Sequence, residues 1–288
     1  MFFLIGAPRC ATTSLFTWFE THPEVYVPEM KEPHYFACPE VQDTYYDAPI
    51  ISEADEYSRL YQARPPGILA GDFSSSYLFR DVAAKRIKQV VPEAKIIAVL
   101  RNPVERSISH YRMDYRDGYT SEPLEEILRS THRDPRFRRE YLSVGRYSRS
   151  IRRWQDQFPQ EQIKVIFYDD LVSEWTTTTN NLSAFLGISE LKGQQQFRNA
   201  GTGPPAQVLR RLSRSNTARR VANRVSPATR QRLIATLSAP APHIQPSTVR
   251  RLQDIFAAEI DVLEVQLDRD LSHWRILDAE RVAASGRA

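Results

Sequence analysis

The chain has 288 residues, of which 41% are hydrophobic and 26% charged, an ordinary composition for a globular protein. Its net charge of +4 is too small to imply a nucleic-acid partner, and two cysteines are too few for a disulfide framework. No window holds the roughly 18 uncharged apolar residues of a membrane helix, so we expect no membrane span. The first predicted strand begins at residue 2, which leaves no room for a signal peptide, and we expect a cytoplasmic protein.

Arginine supplies most of the positive charge. Only 6 of the 39 basic residues are lysine, and nine arginines fall between residues 198 and 232, in a longer stretch without any acidic residue. The planar guanidinium binds phosphate and sulfate through its fork of donors. This arginine-rich segment is therefore either an anion-binding surface or the solvated face of an arginine-rich protein.

The first element of the chain is an apolar strand, residues 2–5, which leads through a loop into a helix. A loop between a buried strand and a helix aims several backbone N–H groups at one point, where the helix dipole favours phosphate or sulfate. The spacing is that of a P-loop, G-x-x-x-x-G-K-[ST], with Gly6 in first place. However, Ala11 stands at the second glycine and Thr12 at the lysine, and the cation is Arg9. The hydroxyls of residues 12–14 are alternatively only helix caps.

Strands and helices then alternate along the chain. Short apolar runs predict strands at 67–72, 95–100 and 162–167, and helical periodicity covers 81–91, 102–118, 124–130, 146–158, 171–186 and 247–267. This alternation predicts an α/β protein with a P-loop-like, three-layer fold, in which helices flank a central parallel sheet. We expect one domain over residues 1–288, with a mostly helical C-terminal part from about residue 190.

A second polar group follows the clearest buried strand. Arg101 comes directly after the strand, and Ser109 lies two turns along the next helix. Because the carboxyl ends of parallel strands share one edge of a sheet, this pair is expected near the first loop and suits a second phosphate. Alternatively, Arg101 only pairs with a carboxylate such as Asp114.

These segments resemble the sulfotransferases that use 3′-phosphoadenosine 5′-phosphosulfate (PAPS), especially bacterial and glycosaminoglycan-type members. Residues 6–15, GAPRCATTSL, look like the family's 5′-phosphosulfate loop, and residues 100–109, LRNPVERSIS, like its 3′-phosphate motif. Residues 31–36, KEPHYF, are similar to the segment that carries the catalytic glutamate in the glycosaminoglycan branch. Further likenesses at 145–147, 185–187 and 270–274 extend the resemblance over nearly the whole chain.

The resemblance implies transfer of a sulfuryl group from PAPS to a hydroxyl or amine, with release of 3′-phosphoadenosine 5′-phosphate (PAP) and without a metal. The acceptor would be a carbohydrate, a lipid or a small molecule. Glu32 would be the general base, with His34 as runner-up, and Arg9 would stabilise the leaving group. The expected nucleotide contacts are Arg9, Cys10, Ala11, Thr12, Thr13 and Ser14 at the 5′ end, Arg101 and Ser109 at the 3′-phosphate, and Arg198 with Asn199 closing over the nucleotide.

Some positions depart from the family pattern. Lysine is common where Arg9 stands, glycine is common where Ala11 stands, and residues 72–74 lack the lysine of an acidic-lysine-serine run. Residues 35–61 and 115–145 are the candidate acceptor cleft. The oligomeric state is left open by the sequence.

Two other functions compete with this interpretation. A P-loop kinase or NTPase would need a carboxylate at a strand end for Mg²⁺, which Asp169 or Asp170 could supply. A non-catalytic protein could instead bind a polyanion through the arginines of residues 198–232.

Overall fold

Five parallel strands form a sheet in the order β2-β3-β1-β4-β5. The structure is a computed structural model that describes residues 1–44, 49–129, 134–191 and 243–284. The strands are β1 (Phe2–Gly6), β2 (Val25–Tyr26), β3 (Leu69–Phe73), β4 (Lys95–Leu100) and β5 (Ile163–Phe167). In register, Phe2 lies opposite Gly71 of β3 and Lys95 of β4. The predicted α/β class, with a central parallel sheet flanked by helices, is confirmed.

The apolar residues of β1 and β4 explain why these two strands lie in the interior of the sheet. In β1 and β4, residues 2–5 and 96–100 are all fully buried. A parallel sheet covered by helices on both faces buries consecutive residues, so its strands are continuous apolar runs without alternation. Because both strands end at the same edge, the segments that follow Gly6 and Leu100 become neighbours.

Helices connect and cover the strands. They are α1 (Thr12–Glu20), α2 (Ala54–Arg59), α3 (Asp81–Val90), α4 (Pro103–Asp117), α5 (Leu124–Ile127), α6 (Pro135–Leu142), α7 (Tyr147–Gln155), α8 (Tyr168–Ser173), α9 (Trp175–Leu186), α10 (Pro246–Leu267), α11 (Ser272–Arg275) and α12 (Ala279–Ala284). The long helix α10 packs against α4 and α7. Within the described ranges, no helix combines the length and the apolar character needed to cross a membrane.

The helix that carries the second motif begins and ends at the predicted signals. Asn102 is the N-cap of α4, where its Oδ1 accepts the Val104 N–H at 2.9 Å, and Pro103 occupies the first helical position. Gly118 ends the helix in the left-handed conformation, with φ 75°. These local residues therefore determine where Ser109 lies relative to the end of β4.

The predicted helix over 171–186 is wrong in one respect, because the chain forms α8 and α9 with a break at Glu174. The buried residues Leu171, Trp175 and Thr179 keep helical spacing across the break. Periodicity alone therefore does not detect it. Strand β2 and helix α6 were not predicted: β2 has only two residues, and α6 lies in the segment assigned to the acceptor cleft.

Candidate active site

The loop between β1 and α1 has the backbone shape of an anion-binding turn. Arg9 and Ala11 both adopt positive φ, 72° and 61°, and Ala11 is the N-cap of α1. The carbonyl of Ala11 accepts the N–H groups of Ser14 and Leu15 at 3.0 and 3.2 Å. No side-chain oxygen of the described residues caps this helix, so the interpretation of residues 12–14 as caps is wrong.

Gly6 lets this loop approach the end of strand β3. Its φ is 149°, and a Cβ atom at this position would lie 2.8 Å from the carbonyl oxygen of Ser75. Only glycine fits such a close approach of two backbones without displacement. The segment 74–76 therefore lies directly beside the loop, which no sequence pattern indicates.

Arg9 joins the first loop to the second motif. Its Nε donates to Ser109 Oγ at 3.1 Å and its Nη1 to Met113 Sδ at 3.3 Å, so the guanidinium lies against α4. The two motifs share one edge of the sheet, as the strand-end argument predicts. Arg9 thus lies between the residues assigned to the two ends of the nucleotide.

Arg101 does pair with a neighbouring carboxylate, but the partner is Glu105 and not Asp114, the example given above. Arg101 Nε and Nη2 each lie 3.1 Å from Glu105 Oε2, and the guanidinium lies 4.4 Å from the centre of the Tyr168 ring. Asp114 is fully buried and accepts the Tyr141 hydroxyl at 2.7 Å. One helical turn separates Glu105 from Arg101, whereas Asp114 lies more than two turns further along α4.

Positive charges concentrate around the first loop. Burial lowers the pKa of Arg9, and the charges of Arg116 and Arg101 lower it further. Burial also lowers the pKa of Arg112, again with a contribution from Arg101. A bound anion would offset both the desolvation and the mutual repulsion of these cations. The electrostatics of this edge therefore fit a ligand that carries phosphate groups.

The segment that carries Glu32 and His34 lies next to the start of α1. Glu32 Oε2 accepts the Ser75 hydroxyl at 2.8 Å and lies 3.6 Å from His34 Nε2. Lys31 Nζ donates to Thr13 Oγ1 at 2.7 Å and lies 3.6 Å from Glu32 Oε1. Lys31 consequently bridges the first loop and the carboxylate. All three predicted segments thus meet at one place.

Burial disfavours the charged forms of His34 and Lys31. Burial lowers the pKa of His34, and the charge of Glu32 opposes that effect. Burial likewise lowers the pKa of Lys31, and Glu32 again opposes it. His34 Nδ1 is hydrogen-bonded to Ser76 Oγ at 2.8 Å, which fixes the ring. A pKa lowered from 6.5 favours the neutral imidazole at pH 7.

Cys10 is a buried thiol. Its side chain is fully buried, and burial raises its pKa to about 11. The Sγ atom lies 3.7 Å from the carbonyl oxygen of Pro8 and also interacts with Tyr147. An activated thiolate at the helix start is thereby excluded at neutral pH, and a nucleotide contact of Cys10 would use its main chain.

The comparisons with known proteins agree with this geometry. Residues 74–192 match the family model described as "Sulfotransferase family". The crystal structure of a sulfotransferase from Alicyclobacillus acidocaldarius is 27% identical, covers 96% of this chain and 98% of that one, and superposes with a TM-score of 0.71. The chain is therefore similar to sulfotransferases, in sequence over residues 74–192 and in fold over most of its length.

Curated relatives of this chain carry the names of heparan sulfate enzymes. Bifunctional heparan sulfate N-deacetylase/N-sulfotransferase 1 of Caenorhabditis briggsae is 27% identical over 208 residues, which are 68% of this chain and 23% of that protein. Human heparan sulfate glucosamine 3-O-sulfotransferase 6 is 23% identical over 268 residues, 88% of this chain and 67% of that protein. The matched region thus spans less than a quarter of the bifunctional relative.

Asp169, the carboxylate that a kinase would use for Mg²⁺, makes other contacts in this structure. Its Oδ2 accepts the Trp274 indole N–H at 2.8 Å and lies 3.1 Å from His273 Nε2. Arg269 pairs with the neighbouring Asp170 at 2.8 Å. These contacts tie the C-terminal helices to the end of β5, which gives both carboxylates a structural role.

Sequence reasoning missed three residues of the site, namely Asp72, Ser75 and Ser76. The hydroxyl-rich run after β3 was visible in the sequence, but its partners in segment 31–36 are about 40 residues away. Arg198 and Asn199, with the rest of the arginine-rich segment, lie outside the described residues, so their predicted contacts stay predictions.

Proposed function

We propose that the chain is an enzyme that transfers a sulfuryl group from PAPS to a hydroxyl or amine of a glycan. One observation carries this proposal: the first loop, helix α4 and the Glu32 segment converge at one sheet edge. Arg9 contacts Ser109 of α4, and Lys31 contacts Thr13 at the start of α1. A cationic loop for the donor and a carboxylate for the acceptor proton are what sulfuryl transfer requires.

The donor would bind along the edge of the sheet. The main chain of residues 9–14 and the hydroxyls of Thr12, Thr13 and Ser14 would hold the 5′-phosphosulfate at the N-terminus of α1. Arg101 and Ser109 would hold the 3′-phosphate, with Arg9 between the two groups. The lowered pKa values of Arg9 and Arg112 support this assignment, because an anion at this edge offsets their desolvation.

The reaction is an in-line displacement at sulfur. The acceptor oxygen or nitrogen forms a bond to sulfur while Glu32 takes its proton, and the bond from sulfur to the 5′-phosphate oxygen breaks. PAP leaves with that electron pair, and Arg9 with the N–H groups of the loop stabilises the charge on the leaving oxygen. As in phosphoryl transfer, positioning and electrostatics provide most of the catalysis.

Glu32 is a better candidate for the base than His34. The Glu32 side chain keeps 27% of its surface exposed and the His34 side chain only 8%, so an acceptor reaches the carboxylate first. The Ser75 hydroxyl and the His34 ring lie on the same carboxylate oxygen and orient it. His34 therefore serves as a neighbour that steadies Glu32.

Lys31 gains a role that its sequence position does not indicate. Its ammonium group lies between Thr13, at the donor end, and Glu32, at the acceptor end, and its side chain keeps 24% of its surface exposed. The transferred group passes between these two ends. We assign Lys31 to the stabilisation of negative charge on the sulfuryl oxygens.

The acceptor cleft is proposed between two segments that the structure joins. Arg139 of α6 donates to Asp43 Oδ2 at 2.8 Å, which connects the two predicted acceptor regions, 35–61 and 115–145. Within the first of these regions, the rings of Tyr35 and Tyr57 stack with their centres 4.5 Å apart. A glycan is the favoured acceptor because the curated relatives are named for heparan sulfate.

The test is transfer of label from PAPS to a panel of glycans, lipids and small hydroxyl compounds. Glu32→Gln is expected to abolish transfer and leave PAP affinity nearly unchanged, because only the proton acceptor is lost. Glu29→Gln, a change at an exposed position three residues earlier, is the matched control and is expected to keep activity. Transfer by the Glu32→Gln variant at the wild-type rate would contradict the assignment.

Thermal unfolding with nucleotides separates the alternatives. PAP at about 100 times its dissociation constant adds roughly 2.7 kcal/mol of stability, and we expect this effect without added metal. Stabilisation by ATP only with Mg²⁺ would support a kinase-like enzyme. Strong binding of heparin that Glu32→Gln leaves unchanged, without any transfer, would support a non-catalytic polyanion-binding protein.

A further inference from the structure

A buried carboxylate lies behind the proposed base. Asp72, at the end of β3, has no exposed surface. Its Oδ2 accepts the hydroxyls of Tyr57 and Tyr77 at 2.8 and 3.1 Å, and its Oδ1 accepts the hydroxyl of Ser74 at 2.8 Å. No ion pair among the described residues includes Asp72. A buried carboxylate without a cation is unfavourable for folding, which calls for a functional reason.

Two of these hydroxyls also accept hydrogen bonds from the segment that carries Glu32, the proposed base. Ser74 Oγ accepts the main-chain N–H of His34 at 3.2 Å, and Tyr77 Oη accepts that of Phe36 at 3.3 Å. A hydroxyl has one proton, so a hydroxyl that donates to Asp72 must present a lone pair to its other neighbour. The carboxylate, which only accepts, therefore fixes both hydroxyls as acceptors for the amides.

These amides belong to a segment with an unfavourable backbone. Glu32 and His34 both adopt positive φ, 63° and 57°, a region that residues with a side chain rarely occupy. Three main-chain N–H groups of the segment donate to β3 and the residues after it: that of Glu32 to the Phe73 carbonyl at 2.9 Å, and those of His34 and Phe36 to the two hydroxyls. Two of the three bonds therefore depend on Asp72.

We propose that Asp72 is the positioning residue of the base, acting through Ser74 and Tyr77 to hold the 32–36 backbone so that the Glu32 carboxylate faces the donor loop. This inference rests on the proposed function of Glu32. Asp72 itself contacts no substrate. Its charge matters because an asparagine at this position would also donate hydrogen bonds, and one hydroxyl would then turn away from its amide.

The test compares Asp72→Asn with variants of the two hydroxyls. Asp72→Asn is expected to lower kcat by about 10- to 100-fold, because a displacement of about 1 Å at a reacting group has effects of this size. KM for PAPS and the Kd of PAP are expected to stay within about twofold, since the donor loop is untouched. Ser74→Ala and Tyr77→Phe remove one connection each and are expected to lower kcat by smaller factors.

A double-mutant comparison separates positioning from a general loss of stability. If Asp72 acts through Ser74, the Asp72→Asn, Ser74→Ala double variant loses little more kcat than Asp72→Asn alone. Independent effects that multiply would overturn the proposal, and so would a loss of PAP affinity equal to the loss of kcat. Glu259→Gln is the control: this carboxylate accepts the Ser148 N–H at 2.6 Å in α7, away from Glu32, and its loss is expected to lower stability without changing kcat.

Hydrogen exchange gives a readout that does not depend on turnover. Peptides spanning 31–37 are expected to exchange at least about tenfold faster in Asp72→Asn than in the wild type, with no such change in Glu259→Gln. Faster exchange in a protein that transfers no sulfate would mean that the proposed function fails while the positioning role stands. Unchanged exchange would overturn the positioning role even if the wild type is active.

Discussion

Arg101→Ala tests the placement of the nucleotide most directly. In the proposed complex, Arg101 contacts the 3′-phosphate of PAP, a group that AMP lacks. The substitution removes a guanidinium whose side chain keeps 20% of its surface exposed and which lies 3.1 Å from Glu105. We therefore expect weaker binding of PAP and nearly unchanged binding of AMP.

The expected loss of PAP binding energy is the difference between two interactions of Arg101, the one with the 3′-phosphate and the one with Glu105. A hydrogen bond to a charged group contributes about 1.5–3 kcal/mol. Release from Glu105 costs little, because a partly exposed pair one turn apart on a helix contributes only about 0.3–0.5 kcal/mol. The net loss for PAP is about 1–3 kcal/mol, which corresponds to a Kd about 5- to 150-fold higher. For AMP we expect a change below about threefold.

Isothermal titration calorimetry with both nucleotides measures this difference. The ionic strength must be the same throughout, because salt screens exposed charges. Arg64→Ala is the matched control, since Arg64 is exposed and lies near the amino group of Met1, at the opposite end of β1. Equal losses for PAP and AMP, or no loss for either, would refute the placement of the 3′-phosphate at Arg101.

Three further predictions follow from the burial of single groups. Lys31→Met is expected to lower kcat by about 10- to 100-fold in the transfer assay, because a preorganised charge at the transferred group is lost, and an unchanged kcat would contradict its role. Iodoacetamide at pH 8 is expected to alkylate the partly exposed Cys38 and to spare Cys10, whose pKa burial raises to about 11, as mass spectrometry of the native protein would show; preferential labelling of Cys10 would contradict this. Burial raises the pKa of Asp72 from 3.8 to about 6, so its protonated form favours the native state, and this contribution is lost as the pH rises through 6. Urea unfolding between pH 4 and 7 is therefore expected to show wild-type stability falling by about 3 kcal/mol relative to Asp72→Asn, whereas parallel curves would contradict the burial of a charged Asp72.

Part of the candidate site could be predicted because it is local in the sequence. The loop after β1 and the motif after β4 each consist of consecutive residues, and their positions follow from a buried apolar strand that ends at a helix. Helix α6 also had local signals, since Asp134 caps it and Pro135 begins it.

Other features had no local signal. Glu105 rather than Asp114 pairs with Arg101, because side-chain direction on α4 decides which carboxylate faces the end of β4. The break at Glu174 is invisible to periodicity, since the buried positions keep their spacing across it.

The sequence by itself determined the four longer strands, the caps of α4 and the two predicted nucleotide motifs, because propensity, apolar runs and capping act between residues a few positions apart. Only the tertiary structure decided that Arg9 meets Ser109, that Lys31 meets Thr13, and that Asp72 supports the segment of Glu32. These contacts join residues 18 to 100 positions apart. They form because a parallel sheet gathers the carboxyl ends of its strands at one edge, and no pattern along the chain records which side chains meet there.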